Sequence, residues 1–202
     1  MSKAPISVSM STFAEFATRS GPTKLSLVKS WKNKPSYTPS LDFYKAVREA
    51  IPEYCQKRIN KSGLEKVIDE AGAKRIPHYK SVVSGFLKWK ATKSGVWRDP
   101  VEGTWLNSGI SVHVVPELGY EHNDITTYVK LYFKSTKLTR YHADVYLELM
   151  ASSLPVKMKK NIKFAVLDVK NAKEFDARGS KPTIHALIQA EAMYWSSLWN
   201  VV

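Results

Sequence analysis

The chain of 202 residues predicts an α+β fold: a helical N-terminal half packed against a small antiparallel sheet with flanking helices. Three observations predict it. From Ile110 to Lys134, apolar and polar residues alternate on both sides of Asn123-Asp124, the pattern of a β-hairpin. A second apolar run, KFAVLDVK, follows about thirty residues later and reads as a strand. Before the hairpin, apolar residues recur every three or four positions behind capping residues, which is helical spacing.

In chain order, Thr12 and Glu15 have capping-box spacing, Phe13 and Phe16 share a face, and Gly21 suits an exit, so 12–20 reads as a short helix. The next run, PTKLSLVKSWKNKPSYTPS, reads as a loop or extended arm because it carries Pro35 and Pro39. Ser40 starts a longer helix whose buried stripe is Tyr44, Val47, Ile51, Tyr54 and Cys55, with a kink or break near Ala50 imposed by Pro52. Ser62 and Glu65 cap a helix carrying Leu64, Val67, Ile68 and Ala71, and Gly72 closes it. Pro77 opens a third, with Tyr79, Val82, Val83, Phe86 and Leu87 inward.

SGVWRDPVEG is a turn-rich connector and divides the chain into a basic helical region, 1–99, and a sheet-bearing region, 100–202, expected to fold as one cooperative unit. GTWL reads as an edge strand. In the hairpin, His122 should face Ile125, Leu118 Val129, Pro116 Leu131 and Val114 Phe133, with Val112 on the same apolar side. The other side sets Glu117 across from Lys130 and His113 across from Lys134. Ser135 or Thr136 then caps a helix with Leu138, Tyr141, Val145, Leu149 and Met150 inward, ended by Pro155. KNAKEF turns KFAVLDVK into a second hairpin. Thr183 caps a last helix whose stripe is Ile184, Leu187, Ile188, Glu191, Trp195 and Leu198.

The net charge of +13 is concentrated before the hairpin: residues 1–100 hold 19 Lys/Arg against 8 Asp/Glu, and residues 101–202 hold 12 against 10. Such asymmetry points to a polyanionic partner, nucleic acid or an acidic protein surface, and equally describes a solubilising lysine coat. Lysines 24, 29, 32 and 34 surround Trp31, and the third helix offers Lys80, Lys88 and Lys93 outward with Trp89 and Lys90 at its end. Lysine interleaved with an aromatic can hold phosphates while the ring stacks a base. The alternative is that Trp31 pins the arm to its own domain.

One cysteine, Cys55, excludes an internal disulfide framework and a cysteine-based zinc cluster, and its place on an apolar stripe makes it a core residue rather than a nucleophile. The N-terminus lacks the apolar run of a secretory signal, and no stretch approaches the ~20 apolar residues of a membrane span, so a cytoplasmic protein without membrane contact is expected. Zinc-protease, P-loop, GxGxxG and GxSxG signatures are absent, the five histidines are scattered, and no cofactor is implied.

A carboxylate and lysine set remains. Pro116-Glu117 precedes a strand, and Asp168-Val169-Lys170 puts an acid and a lysine on one strand face. Two acids sharing a divalent cation beside a lysine make a phosphodiester-hydrolysing site. Over about residues 105–170, this set resembles the PD-(D/E)xK nuclease superfamily, whose core is a hairpin, a helix and a further strand. The resemblance implies Mg²⁺ on Glu117 and Asp168 with Lys170 catalytic. It departs from that family in the strand Lys130-Leu131-Tyr132-Phe133-Lys134, where tyrosine stands in place of the acid. The bland reading of the same residues is a Glu117–Lys130 cross-strand pair and an Asp168 that ends a core strand. The run VVPELGY, VKLYFKS, AVLDV and EAMYWSSLW also resembles a pattern in uncharacterised bacterial proteins, implying one unit from the hairpin to the last helix. Glu191 interrupts an apolar stripe and needs a partner, Arg140 or an indole, unless it is a third acid in a pocket.

Three functions therefore stand in order: nucleic-acid association without catalysis, an interaction module for an acidic partner, and a metal-dependent nuclease.

Overall fold

A computed structural model of the protein describes residues 4–34, 42–155, 161–177 and 182–202. The elements run β1 (Ile6–Ser9), α1 (Met10–Thr18), α2 (Gly21–Lys32), α3 (Lys45–Cys55), α4 (Lys61–Asp69), α5 (Ile76–Lys90), β2 (Val96–Trp97) and β3 (Gly103–Asn107). They continue with β4 (Ile110–Val114), β5 (Leu118–His122), β6 (Ile125–Tyr132), α6 (Arg140–Ser153), β7 (Ile162–Asp168), β8 (Lys173–Asp176) and α7 (Pro182–Val201). The class is α+β, as predicted. The sheets are mixed rather than purely antiparallel, because α6 returns the chain so that β7 lies parallel to β6.

Five strands in the order β2-β5-β6-β7-β8 form the central sheet, and β1-β4-β3 form a second, smaller one. Strand alternation gives the central sheet two apolar faces. Leu118, Val129, Leu131, Phe133, Ala165 and Leu167 pack against α3, α4 and α5. Tyr128, Tyr132, Phe164 and Val166 join α1, α6, α7 and the small sheet in a second core. Gly85 makes the first packing possible. A Cβ there would lie 2.0 Å from the carbonyl oxygen of Val169, so α5 approaches the end of β7 as only glycine allows.

The turn at Asn123-Asp124 is where the alternation put it. His122 pairs with Ile125 and Leu118 with Val129. Both turn residues have positive φ, 49° and 60°, the geometry that matches the twist of a two-residue hairpin. The first arm is shorter than expected. Val112 and Val114 belong to β4, which pairs with β1 and β3, so Val114 does not face Phe133, and His113 stands opposite Ser9 and Thr104 rather than Lys134. Pro116 lies at the break. It has no N–H to give a ladder, and the chain passes there from one sheet to the other.

The 24–34 arm is a correction: it lies largely on helix α2, with Pro22 in its first turn and Pro35 and Pro39 beyond its end. Helix α3 continues through Pro52 to Cys55 rather than stopping near Ala50. The caps also move. Ser9, Asn60 and Thr139 accept the backbone N–H of Thr12, Gly63 and His142, where Thr12, Ser62 and Ser135 or Thr136 were expected. In each case the side chain that caps belongs to the residue whose own backbone is still extended at the helix start, two or three positions before the expected cap at Ser9 and Asn60 and three or four after it at Thr139. Ser40 and most of the basic loop VKMKKNIK fall outside the described residues.

Candidate nucleic-acid interface

The three residues of the nuclease-like set end up with separate partners. Glu117 lies beside Lys130, whose ammonium donates to Oε1, while Oε2 accepts the N–H of Leu131 at 2.7 Å. Asp168 is 1% exposed, and its Oδ2 accepts from the Leu138 N–H at 3.0 Å and the Asn171 amide at 2.8 Å. Both carboxylates lie on the α6 side of the central sheet. Lys170 lies on the other side, where its ammonium donates to the Tyr44 hydroxyl at 2.9 Å. No group of three or more His, Cys, Asp or Glu that could hold a metal occurs among the described residues. A divalent cation at Glu117 would have to displace an ammonium, and at Asp168 three N–H donors, so the donor sets as arranged do not fit Mg²⁺.

Around them a polar layer is enclosed between α1, α6 and the sheet. Burial raises the carboxyl of Glu15, but Lys134 and Arg19 outweigh it and hold the group below the ordinary glutamate range. His142 stacks on Tyr146 at 5.2 Å, and burial, helped by the Lys134 charge, pulls its imidazole down to about 4. Burial pushes the Tyr146 hydroxyl up.

Of the basic residues singled out around Trp31, most serve the fold. Lys24 is buried and bridges both oxygens of Glu191, which identifies the partner that the last helix needed. Trp31 donates its indole N–H to the Ser7 carbonyl at 3.1 Å, and Lys32 donates to the Trp199 carbonyl at 3.0 Å. Lys34 lies over the Trp31 ring, 4.4 Å from its centroid. Lys29 is exposed. On α5, Lys80 and Lys88 are exposed, and Lys93, just past the helix, pairs with Glu174 at 2.8 Å. Burial lowers the Lys93 ammonium, yet Glu174 and Tyr120 outweigh it and leave it above its ordinary value.

Lys93 also lines a cleft of about 1180 Å³ that sequence reasoning missed. One wall is the elbow between α3 and α4, with Lys57, Arg58 and Lys61; the other is the end of α5 and the β2–β5 edge of the central sheet. Gly95 and Gly119 let β2 lie close against β5 within the second wall: a Cβ on either would come within 2.5 Å of a backbone oxygen, that of Glu121 or Arg98. Among the described residues that line it, five cationic side chains, including Lys90, meet one acid, Asp99. Lys57, Arg58 and Lys90 have no carboxylate partner among the described residues. Tyr54, Trp97 and Tyr120 line the same space and are each partly exposed. Cys55 faces it too, with a thiol pushed up by burial to about 11, which keeps it protonated and unreactive. A signal was present in the run QKRINK, two cations directly after a helix end. Its meaning depended on segments about thirty and sixty residues further on.

No family model matches the chain, and no curated protein matches it. Among solved structures it is similar to a provisionally named exonuclease from Eubacterium rectale, at 10% identity and a TM-score of 0.49, over 96% of this chain and 80% of that one. No family follows from this. The site is read from its own residues.

Proposed function

We propose that the protein associates with nucleic acid through the cleft between the α3–α4 elbow and the β2–β5 edge. The observation that supports this most is the set of unneutralised cations, Lys57, Arg58 and Lys90, facing a concave surface with a single acid. Unpaired cations held close together repel one another, and a polyanion relieves that repulsion while releasing its own counterions. The exposed Lys88 and Lys80 of α5 extend the basic character beyond the cleft. Catalysis by Glu117, Asp168 and Lys170 is no part of this reading, since each group already holds a structural partner.

The test is equilibrium binding of a labelled oligonucleotide between 50 and 300 mM salt. Three phosphates neutralised by Lys57, Arg58 and Lys90 give a log–log slope of about −2. Arg58→Glu with Lys90→Glu should weaken binding at least tenfold and flatten the slope. Affinity that does not change with salt, or that survives both reversals, overturns the assignment.

A further inference from the structure

We infer that the cleft takes a single-stranded segment of nucleic acid, with at least one base unstacked onto its aromatic wall, in preference to a duplex. This rests on the nucleic-acid reading above and specifies its substrate class. The cations that could meet phosphates, Lys57 and Arg58, are exposed on the rim-forming elbow. The rings that could meet bases, Trp97 and Tyr120, are partly exposed and belong to the edge strand β2 and to β5, which pairs with it, on the opposite wall. A duplex presents its phosphates outward and keeps its bases stacked inside, so it could touch the elbow but not the rings. A single strand can turn its bases away from its backbone and use both walls at once.

The local structure suits that task. Trp97 pairs with Tyr120 in register across the two strands, which puts both side chains on the same face of the sheet. The Trp97 indole N–H donates to Asp99 at 3.1 Å, which fixes the orientation of a ring that packs in part on the core and is otherwise exposed. Arg98, between them in sequence, forks onto Glu121 at 3.0 and 3.1 Å, so it is neutralised and holds β2 against β5. The stacking surface is therefore fixed by hydrogen bonds, while the phosphate-facing cations are left unpaired. Charge alone would suit an acidic peptide equally. Aromatic faces next to unpaired cations favour a ligand that carries both π-faces and phosphates.

The experiment compares a twelve-nucleotide oligothymidylate, the matching oligouridylate, a duplex of the same length and polyglutamate of matched charge. Anisotropy measures affinity and tryptophan quenching reports stacking. The single strands should bind at least tenfold more tightly than the duplex and should quench tryptophan fluorescence, and polyglutamate should compete only weakly. Preference between the DNA and RNA strands distinguishes the two sources of that chemistry. Trp97→Ala should weaken single-strand binding by about 5- to 150-fold, the range expected for one lost base–aromatic stack. Trp97→Phe should restore most of it, which separates loss of stacking from loss of fold. Equal or tighter duplex binding, no effect of Trp97→Ala, or full displacement by polyglutamate overturns the inference. If salt-sensitive binding persists in the first two of these outcomes, the parent reading stands. If no oligonucleotide binds at 50 mM salt, both fall.

Discussion

His142 shows how a single buried group couples this fold to pH. It is enclosed by Tyr132 and Tyr146, with Lys134 and Glu15 as the charges nearest to it. Its imidazole titrates near 4 in the folded protein and near 6.5 when unfolded, so between those values the unfolded chain binds the extra proton. Stability therefore falls as pH drops from about 6.5 to 4, by up to about 3 kcal/mol from this group. Urea midpoints at pH 7 and pH 4.5 should show that loss. His142→Phe should reduce the difference, leaving the part contributed by acids such as Glu15, whose depressed carboxyl also loses stability as it is protonated. Equal pH sensitivity in the two proteins would remove His142 as a cause.

Among the elements, α2 docks on α7 through the Lys24–Glu191 ion pair as well as the Lys32 bond to the Trp199 carbonyl, and this is where a lysine that could have served a ligand turns out to serve the fold. Lys24 and Glu191 have side chains only 8% and 18% exposed. Removing one partner leaves the other as a buried, uncompensated charge. Lys24→Ala should cost about 3 kcal/mol in chemical denaturation, whereas Lys24→Met combined with Glu191→Leu should recover most of it. Additive losses in the double variant would show that the pair is not the coupling. Glu191 was legible as a group in need of a partner, because it breaks an apolar stripe; the partner was not, because it lies 167 residues away. The turn at Asn123-Asp124 was legible for the opposite reason, since the residues that form it are adjacent. Pro116 carried its own signal, a missing donor, but alternation on both sides of it hid the switch of sheets.

For the whole molecule, the composition boundary near residue 99 and the packing boundaries differ. Residues 6–32 supply β1, α1 and α2 to the core formed with α6, α7 and the small sheet, while α3, α4 and α5 cover the other side of the central sheet. Charge divides the chain by sequence, and packing divides it by layer. A fragment spanning 100–202 would lack β2, would expose the face of the central sheet that α3, α4 and α5 cover, and would lose β1, α1 and α2 from the second core. Expressed alone, it should show no cooperative thermal transition, whereas the full chain should melt in one step by circular dichroism. Independent cooperative melting of the fragment would instead make the 1–99 region a separable domain. The cleft belongs to the same scale: 54–61, 89–99 and 118–120 meet only after the sheet has formed, so its chemistry was not written in any one stretch.

β1 lies parallel to β4, Ile6 against Ile110, and Phe16 packs its ring 4.7 Å from that of Trp195. During synthesis at about 5–20 residues per second, Phe16 leaves the ribosome roughly ten to forty seconds before its indole neighbour does. Throughout that interval Phe16 lacks the aromatic surface that covers it in the folded chain, and only the arrival of α7 completes that part of the core.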